Sequence, residues 1–305
     1  MWRGLVTCDL PRRSIESAIS VHFVDLSSAC RTERVQPMPG SGPAKGLGMP
    51  IAIGEIQAVS RAAQILELFG PETPLLSVAD AAERLGFNRT TTHRYFMSLL
   101  AAGLLERTEK PTVFAPGGLL MQLGAFAIGQ RRVIQLAQPH MRALAQEARV
   151  TTVLSLWGTS GPLVSHVEED QTQSTVVTVR IGAQLTLDSR QAIVFLAYLS
   201  DQLLVERLLA TMSARRRDEI HGLISEVRTT GLSVHPVNSR GFSIIAAPVF
   251  DSRGIAATLA LAGTERMLPI DASAREAHLL RGAAIELTRE MGGEWLPDNE
   301  QQALG

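Results

Sequence analysis

Apolar positions recur with helical spacing from Ile56 onward. In IQAVSRAAQILELFG, Ile56, Val59, Ala63, Leu66 and Phe69 fall near one face, and Gly70 supplies a stop before PETP. LLSVADAAERLGFN then offers Ser77 as an N-cap with Asp80 three residues on, and the short amphipathic helix that follows ends at Gly86. Asn88 caps a third helix that starts at Arg89, runs to about Ala102 and is closed by Gly103. Two short helices joined by a tight glycine-containing turn make a helix-turn-helix. LLERTEKPTVFAPGG reads next as a hairpin, Leu104 to Thr108 against Thr112 to Ala115, the wing that often follows such a pair. Two more helices follow, apolar through Leu119, Leu120, Leu123 and Phe126, then through Ile134, Ala137, Met141 and Leu144. The first of these stripes is either a seam to a second copy or intramolecular core.

Further on, β-rich runs alternate with amphipathic helical ones. TTVLSLWG, GPLVSHVEE, STVVTVRIG, LSVHPV, FSIIAAPVFD and IAATLALAG are bounded by turns; DQLLVERLLATM, ARRRDEIHGLISEVRTTG and DASAREAHLLRGAAIELTREMG have helical spacing. The chain is therefore α+β, divided into a winged helix-turn-helix over 55–117, a linker helix over 118–132 and an α+β domain over 133–305. Residues 1–54 lack a sustained period and include RVQPMPGSGPAKGLGMP, so they are expected to form a flexible tail. Met38 and Met49 precede the patterned region, which makes either an alternative start to Met1.

Composition narrows the classes. The 305 residues are 45% hydrophobic and 19% charged, too apolar for a mainly disordered chain. A formal charge of -1 confines any nucleic-acid contact to a local patch. The longest apolar runs fall short of the roughly 20 residues of a spanning helix, so no membrane partner is expected. Cys8 and Cys30 have no metal-ligand spacing, and a reducing cytoplasm fits. Neither metal nor cofactor is called for.

The third helix carries the most informative chemistry. Thr92, Phe96, Leu99 and Leu100 gather on one side; Thr90, Thr91, Arg94, Met97 and Ser98 gather on the other. Threonine is a mediocre helix former, so hydroxyls beside Arg89, His93 and Arg94 at a helix start point to contact with base edges and phosphates. Arg107 and Lys110 add positive charge to the wing, diluted by Glu106 and Glu109. A rival, catalytic reading rests on SHVEED, where His166, Glu168 and Asp170 would share one strand face as a metal-dependent site. No second ligand group recurs at suitable spacing and no nucleophile motif accompanies it.

VSRAAQILELF, LSVADAAERLGFNRTTTHRYFMSLLAAGLLER and, far downstream, IIAAPVFDSRGIAATLALAG resemble the isocitrate-lyase-regulator (IclR) family of bacterial transcription factors, from Ile56 to about Gly292. The resemblance implies a regulator, not an enzyme. It would recognise a double-stranded operator through Arg94 and the DNA-facing start Arg89, Thr90 and Thr91. Its wing departs from the family pattern at Phe114, Ala115, Pro116 and Gly117. The linker helix and first helix would join two subunits into a homodimer, with a homotetramer as the larger alternative. The remainder would be a GAF-like antiparallel sheet holding a small-molecule effector, an organic or aromatic acid, on its concave side. The family's effector loop corresponds to Leu185 to Ala197, where Ser189, Leu196 and Ala197 fit, the family histidine is missing and Arg190 and Gln191 enter. His235, Pro236, Val237 and Asn238 replace a carboxylate-bearing stretch. Ala260 and Ala262 stand where serines can meet a small acid, and Ile244 where cysteine sometimes occurs. These residues imply a more apolar cavity, with Arg190 either anchoring a carboxylate or facing solvent or Asp188. The alternative is a second domain that only oligomerises.

Overall fold

The computed structural model describes residues 19–23, 56–170, 172, 175–234, 241–269 and 271–295. The chain divides into two compact units, Asp25–Gln135 and Met1–Val24 with Leu136–Gly305. A first strand, β1 (Ile19–Phe23), lies in the stretch where the sequence predicts no element. The other residues of the expected tail fall outside the described ones.

In the unit Asp25–Gln135, α1 (Gln57–Leu66), β2 (Leu76–Ser77), α2 (Val78–Leu85) and α3 (Arg89–Ala101) precede a hairpin of β3 (Leu105–Arg107) and β4 (Val113–Pro116). The Ser77 hydroxyl accepts from the Asp80 amide at 3.2 Å and donates to the Asp80 carboxylate at 2.8 Å, closing the start of α2. Gly86 ends α2 at φ 67°, and Asn88 caps α3 by accepting from the Thr90 amide at 2.9 Å. The wing is a three-stranded sheet, β2-β4-β3, because the two residues before α2 pair with β4. Ile65, Leu76, Ala81, Phe96, Leu99, Leu105 and Phe114 form the core, with the Phe96 and Phe114 rings edge to face at 5.0 Å.

The expected face of α1 requires correction. Ile56 and Val59 are 67% and 65% exposed, and Ala63 is also exposed, while Ile65 is fully buried. The helix begins after Ile56 and ends at Leu66, so its buried side is set by Ala62, Ile65 and Leu66, with Phe69 packing from the turn beyond. Past the wing, α4 (Gly118–Gly129) buries none of its residues; Met121 and Phe126 are 75% and 66% exposed. Gly117 separates wing from helix. A Cβ there would collide with the Gly103 carbonyl oxygen and lie 2.9 Å from the Leu105 backbone. Only glycine permits that approach.

The other unit holds most of α5 (Arg132–Ala148), then β5 (Thr151–Trp157), β6 (Pro162–Glu168), β7 (Thr175–Val179), α6 (Arg190–Tyr198), α7 (Gln202–Leu209), α8 (Ala214–Thr230), β8 (Phe242–Asp251), β9 (Gly254–Thr264) and α9 (Arg275–Met291). Four strands form an antiparallel sheet in the order β6-β5-β9-β8, and β1 pairs antiparallel with β7 from Ile19 opposite Val179 to Phe23 opposite Thr175. The fold class is α+β. Strand register puts Val153 opposite Ala260, which is opposite Ala246, and Ser155 opposite Thr258. With side chains alternating between faces, Val153, Ser155, Ala246, Thr258, Ala260 and Ala262 share one face. Val153, Ala246, Ala260 and Ala262 pack there with Ile193 and Leu196 of α6 and Ile220 and Ile224 of α8. The reverse face meets α9, whose Thr288 hydroxyl accepts from the Phe250 amide at 3.1 Å. LSVHPV contributes only an isolated bridge, Ser233 to Ala246, among its described residues.

Candidate nucleic-acid interface and regulatory site

The caps of α2 and α3 hold the helix-turn-helix and leave one broad side of α3 in water. Arg89, Thr90, His93, Arg94 and Ser98 are exposed, Thr91 is half-buried, and Thr92, Phe96 and Leu99 are buried. The buried Thr92 hydroxyl donates to the Asn88 carbonyl oxygen at 3.1 Å, so its polar atom is satisfied inside the helix. Two edges flank the exposed side. Arg89, Thr90, His93 and Met97 face a groove of about 820 Å³ that the wing closes with Arg107 and Thr112. At 100° per residue, Thr91, Arg94 and Ser98 lie on the farther edge. The charged side-chain groups of Arg89, Arg94 and Lys110 have no hydrogen-bond or ion-pair partner among the described residues, which leaves their charges available. Acidic and basic residues are equal in number over 56–117, so the positive field here is local.

Arg107 differs from the other cations. Its Nη1 donates to the Pro111 carbonyl oxygen at 2.9 Å, its Nη2 lies 3.6 Å from Met97 Sδ, and its guanidinium sits 5.6 Å from the centre of the Phe114 ring. It ties the wing turn to α3. Lys110 is exposed at that turn, whose shape is held by the Thr108 hydroxyl donating to the Lys110 carbonyl oxygen at 3.2 Å.

In the sheet unit, the stretch expected to be an effector loop becomes helix at Arg190. The Ser189 hydroxyl caps α6 by accepting from the Ala192 amide at 3.2 Å, and an N-cap of this kind starts the helix at once. Arg190 is 6% exposed, which corrects the solvated alternative. Its Nη2 donates to the Asp188 backbone carbonyl at 3.2 Å, while Nε and Nη1 have no partner. Burial lowers its pKa and nearby Arg216 adds to that, against the opposing pull of Asp188 and Glu226. The Asp188 carboxylate is engaged elsewhere, with Arg216 at 2.8 Å and the Thr186 hydroxyl at 2.5 Å. Gln191, 4% exposed, donates from Nε2 to the Val153 carbonyl oxygen at 3.4 Å. Leu185 and Ile244 are half-buried against the core that contains Ala260 and Ala262. His235 and Asn238 lie outside the described residues.

Sequence reasoning passed over two buried hydroxyls. Ser155 and Thr258 are each 0% exposed, and neither Ser155 Oγ nor Thr258 Oγ1 has a partner. The available signal was a polar residue on the inward alternation of TTVLSLW and IAATLALAG.

The suspected acid-base cluster resolves into separate contacts. His166 Nε2 lies 3.1 Å from Glu168 Oε1, which Arg142 also approaches at 3.5 Å. Asp170 instead accepts from the Thr172 amide at 3.0 Å and its hydroxyl at 2.8 Å. Among the described residues, no group of three or more histidine, cysteine or carboxylate side chains is placed to hold a metal ion. None of their helices is long and apolar enough to cross a membrane.

Residues 58–109 match the family model described as the IclR helix-turn-helix domain. Over 257 residues the chain is 26% identical to the HTH-type transcriptional regulator XynR of Escherichia coli, spanning 80% of this chain and 99% of that one. It is 22% identical over 271 residues to the transcriptional repressor IclR of Escherichia coli, covering 85% and 99%. Among solved structures, an IclR transcriptional regulator from a Silicibacter species aligns with a TM-score of 0.70 and 25% identity over 79% of this chain and 98% of that one. An IclR homologue from Microbacterium hydrocarbonoxydans, complexed with 4-hydroxybenzoate, shares the fold at a TM-score of 0.61 and 20% identity, covering 77% and 98%. Over most of its length the chain is thus similar to transcriptional regulators of the IclR family, and its residues 58–109 are an IclR helix-turn-helix DNA-binding domain.

Proposed function

We propose that the protein is a cytoplasmic, sequence-specific operator-binding regulator that works as a homodimer and is controlled by a small organic acid. The observation that carries the reading is the exposed side of α3, where Arg89 and Arg94 have no partner among the described residues and hydroxyls flank them. Such a helix enters the major groove, where arginine forks onto guanine and threonine reaches phosphate or a thymine methyl. Arg94 and Ser98 read base edges, Thr91 and His93 support them, and Arg89, Thr90 and Lys110 meet the backbone. The uncovered apolar residues of α4, with Ile56 and Val59, support pairing with a second copy, since a two-fold pair doubles the site read. In that arrangement α4 links the DNA-binding unit to residues 133–305.

For the effector, the supporting feature is Arg190. A buried guanidinium with two unsatisfied nitrogens favours an acceptor-rich anion, and a carboxylate meets that need. The relative that carries 4-hydroxybenzoate makes an aromatic acid a reasonable first probe. Ser189 acts through its cap, whereas Leu185, Gln191, Ile244, Ala260 and Ala262 line the apolar interior; His235 and Asn238, outside the described residues, stay candidates for polar contact with the acid. Control of DNA binding requires that the acid bind one arrangement of the paired units more tightly than the other.

Footprinting of the full chain on DNA upstream of its own gene tests the reading. Expected is protection of two half-sites a whole number of helical turns apart, altered by an acid that calorimetry also detects. An absence of protection at any salt concentration overturns operator recognition; protection that no acid alters favours a second unit that only oligomerises.

A further inference from the structure

Ser155 and Thr258 face each other on the two central strands of the four-stranded sheet, on the side covered by α6. Both residues are completely buried and neither hydroxyl oxygen has a hydrogen-bond partner, so they do not bond each other. Buried polar groups are normally paired, and an adjacent pair left open is unusual. Their position explains why nothing in the sheet satisfies them. β5 lies between β6 and β9, and β9 between β5 and β8, so ladder bonds engage the nearby backbone in the sheet plane while these side chains stand perpendicular to it. Thr151, on the same face of β5, shows the usual outcome: its hydroxyl donates to the Val177 carbonyl oxygen at 2.6 Å.

The neighbouring pair on this face is small. Ala260 and Ala246, the next pair along the same face, carry the smallest side chains the strand allows without glycine. Gln191 of the first turn of α6 reaches down to Val153, and Phe195 meets Trp157 at 5.3 Å between ring centres. Ser155 lies between Val153 and Trp157 on the same side of the strand, hence beneath the start of α6, the turn that also carries Arg190. The other unpartnered hydroxyls, on Thr152, Ser233 and Ser243, do not form such a pair: Thr152 opposes Leu261, Ser243 opposes Gly263 and Ser233 bridges to Ala246.

We infer that Ser155 and Thr258 form a hydrogen-bonding subsite for an uncharged oxygen function of the effector, a hydroxyl or a carbonyl. Each serine or threonine hydroxyl can donate and accept, so one guest oxygen set between them satisfies both. The inference rests on the effector reading above and refines it: the ligand is an oxygenated acid, with its uncharged oxygen read at the centre of the sheet. The positions Ile244, Ala260 and Ala262, where the family resemblance looks for polar contacts, have none to offer.

Calorimetry on the full chain with matched acids tests this: benzoate against 4-hydroxybenzoate, and butyrate against 3-hydroxybutyrate. The wild type is expected to prefer the hydroxylated member of at least one pair by about tenfold or more, as sites built to bond a hydroxyl do. Ser155→Ala and Thr258→Val should each bring that ratio to within about threefold and leave the affinity for the plain acid intact. Both variants should melt at or above the wild-type temperature, because an unsatisfied hydroxyl has been removed. Unchanged discrimination in both variants overturns the subsite and leaves the effector reading standing. A marked fall in melting temperature also overturns it, by revealing an internal partner for the hydroxyl. Failure of the wild type to bind any of the four acids removes the organic-acid reading itself, and the subsite with it.

Discussion

Thr92 of α3 and Thr258 of β9 are both completely buried, yet Thr92 donates to the Asn88 carbonyl oxygen at 3.1 Å while Thr258 Oγ1 meets no acceptor. A helix offers each hydroxyl a carbonyl one turn back, with a lone pair to spare. A central strand directs the same side chain away from the plane in which its carbonyls are engaged. The contrast extends to the two units. The DNA-binding unit keeps Arg89 and Arg94 outside, where water solvates them. The sheet unit keeps polar atoms of Arg190, Ser155 and Thr258 inside, where each unmet bond has a free-energy cost that a ligand can relieve.

The largest effect is expected from the core that carries the outward face. Phe96→Ala removes a fully buried ring that contacts Phe114, and should cost about 3–5 kcal/mol of stability, read by denaturant unfolding. A loss below about 1 kcal/mol would mean that the wing does not depend on this contact. Arg94→Ala comes next. It should weaken operator binding by about 1–3 kcal/mol at physiological salt with the melting temperature unchanged, and unchanged binding would remove Arg94 from the interface.

The threonine contrast can be sharpened with one isosteric change in each unit. Thr92→Val breaks a satisfied hydrogen bond and leaves a carbonyl with less, so it should destabilise by about 0.5–1.5 kcal/mol, whereas Thr258→Val should be neutral or stabilising. Equal losses would break the comparison. The smallest effect is expected at Arg107, whose donors reach Pro111 and Met97. Arg107→Gln should leave the slope of log affinity against log salt unchanged, since removal of a phosphate contact would lower it by about 0.9. A slope change of that size would place Arg107 among the phosphate contacts.

Local signals were legible where hydrogen bonds close within four residues. Ser77 and Asn88 each cap the helix that follows, and the buried side of α3 is the one its spacing indicates. The face of α1 was misread because five apolar positions were fitted to a helix that omits the first and ends before the last. The strand Leu76–Ser77 was missed because two residues carry no period, and its partner Val113–Phe114 lies far along the chain. The family pattern points to a loop at the start of α6, whereas the cap at Ser189 begins the helix there.

The sequence by itself determined the helix-turn-helix with its exposed arginines and the inward alternation of the strands, all set by neighbours a few residues apart. Only the tertiary structure decided which strands are central, that Arg190 donates to a backbone carbonyl while Asp188 takes Arg216, and that Ser155 meets Thr258 across the sheet. Those outcomes depend on side chains brought together from distant stretches. Whether a buried hydroxyl finds an acceptor is decided by which backbone lies against it, and periodicity carries no record of that.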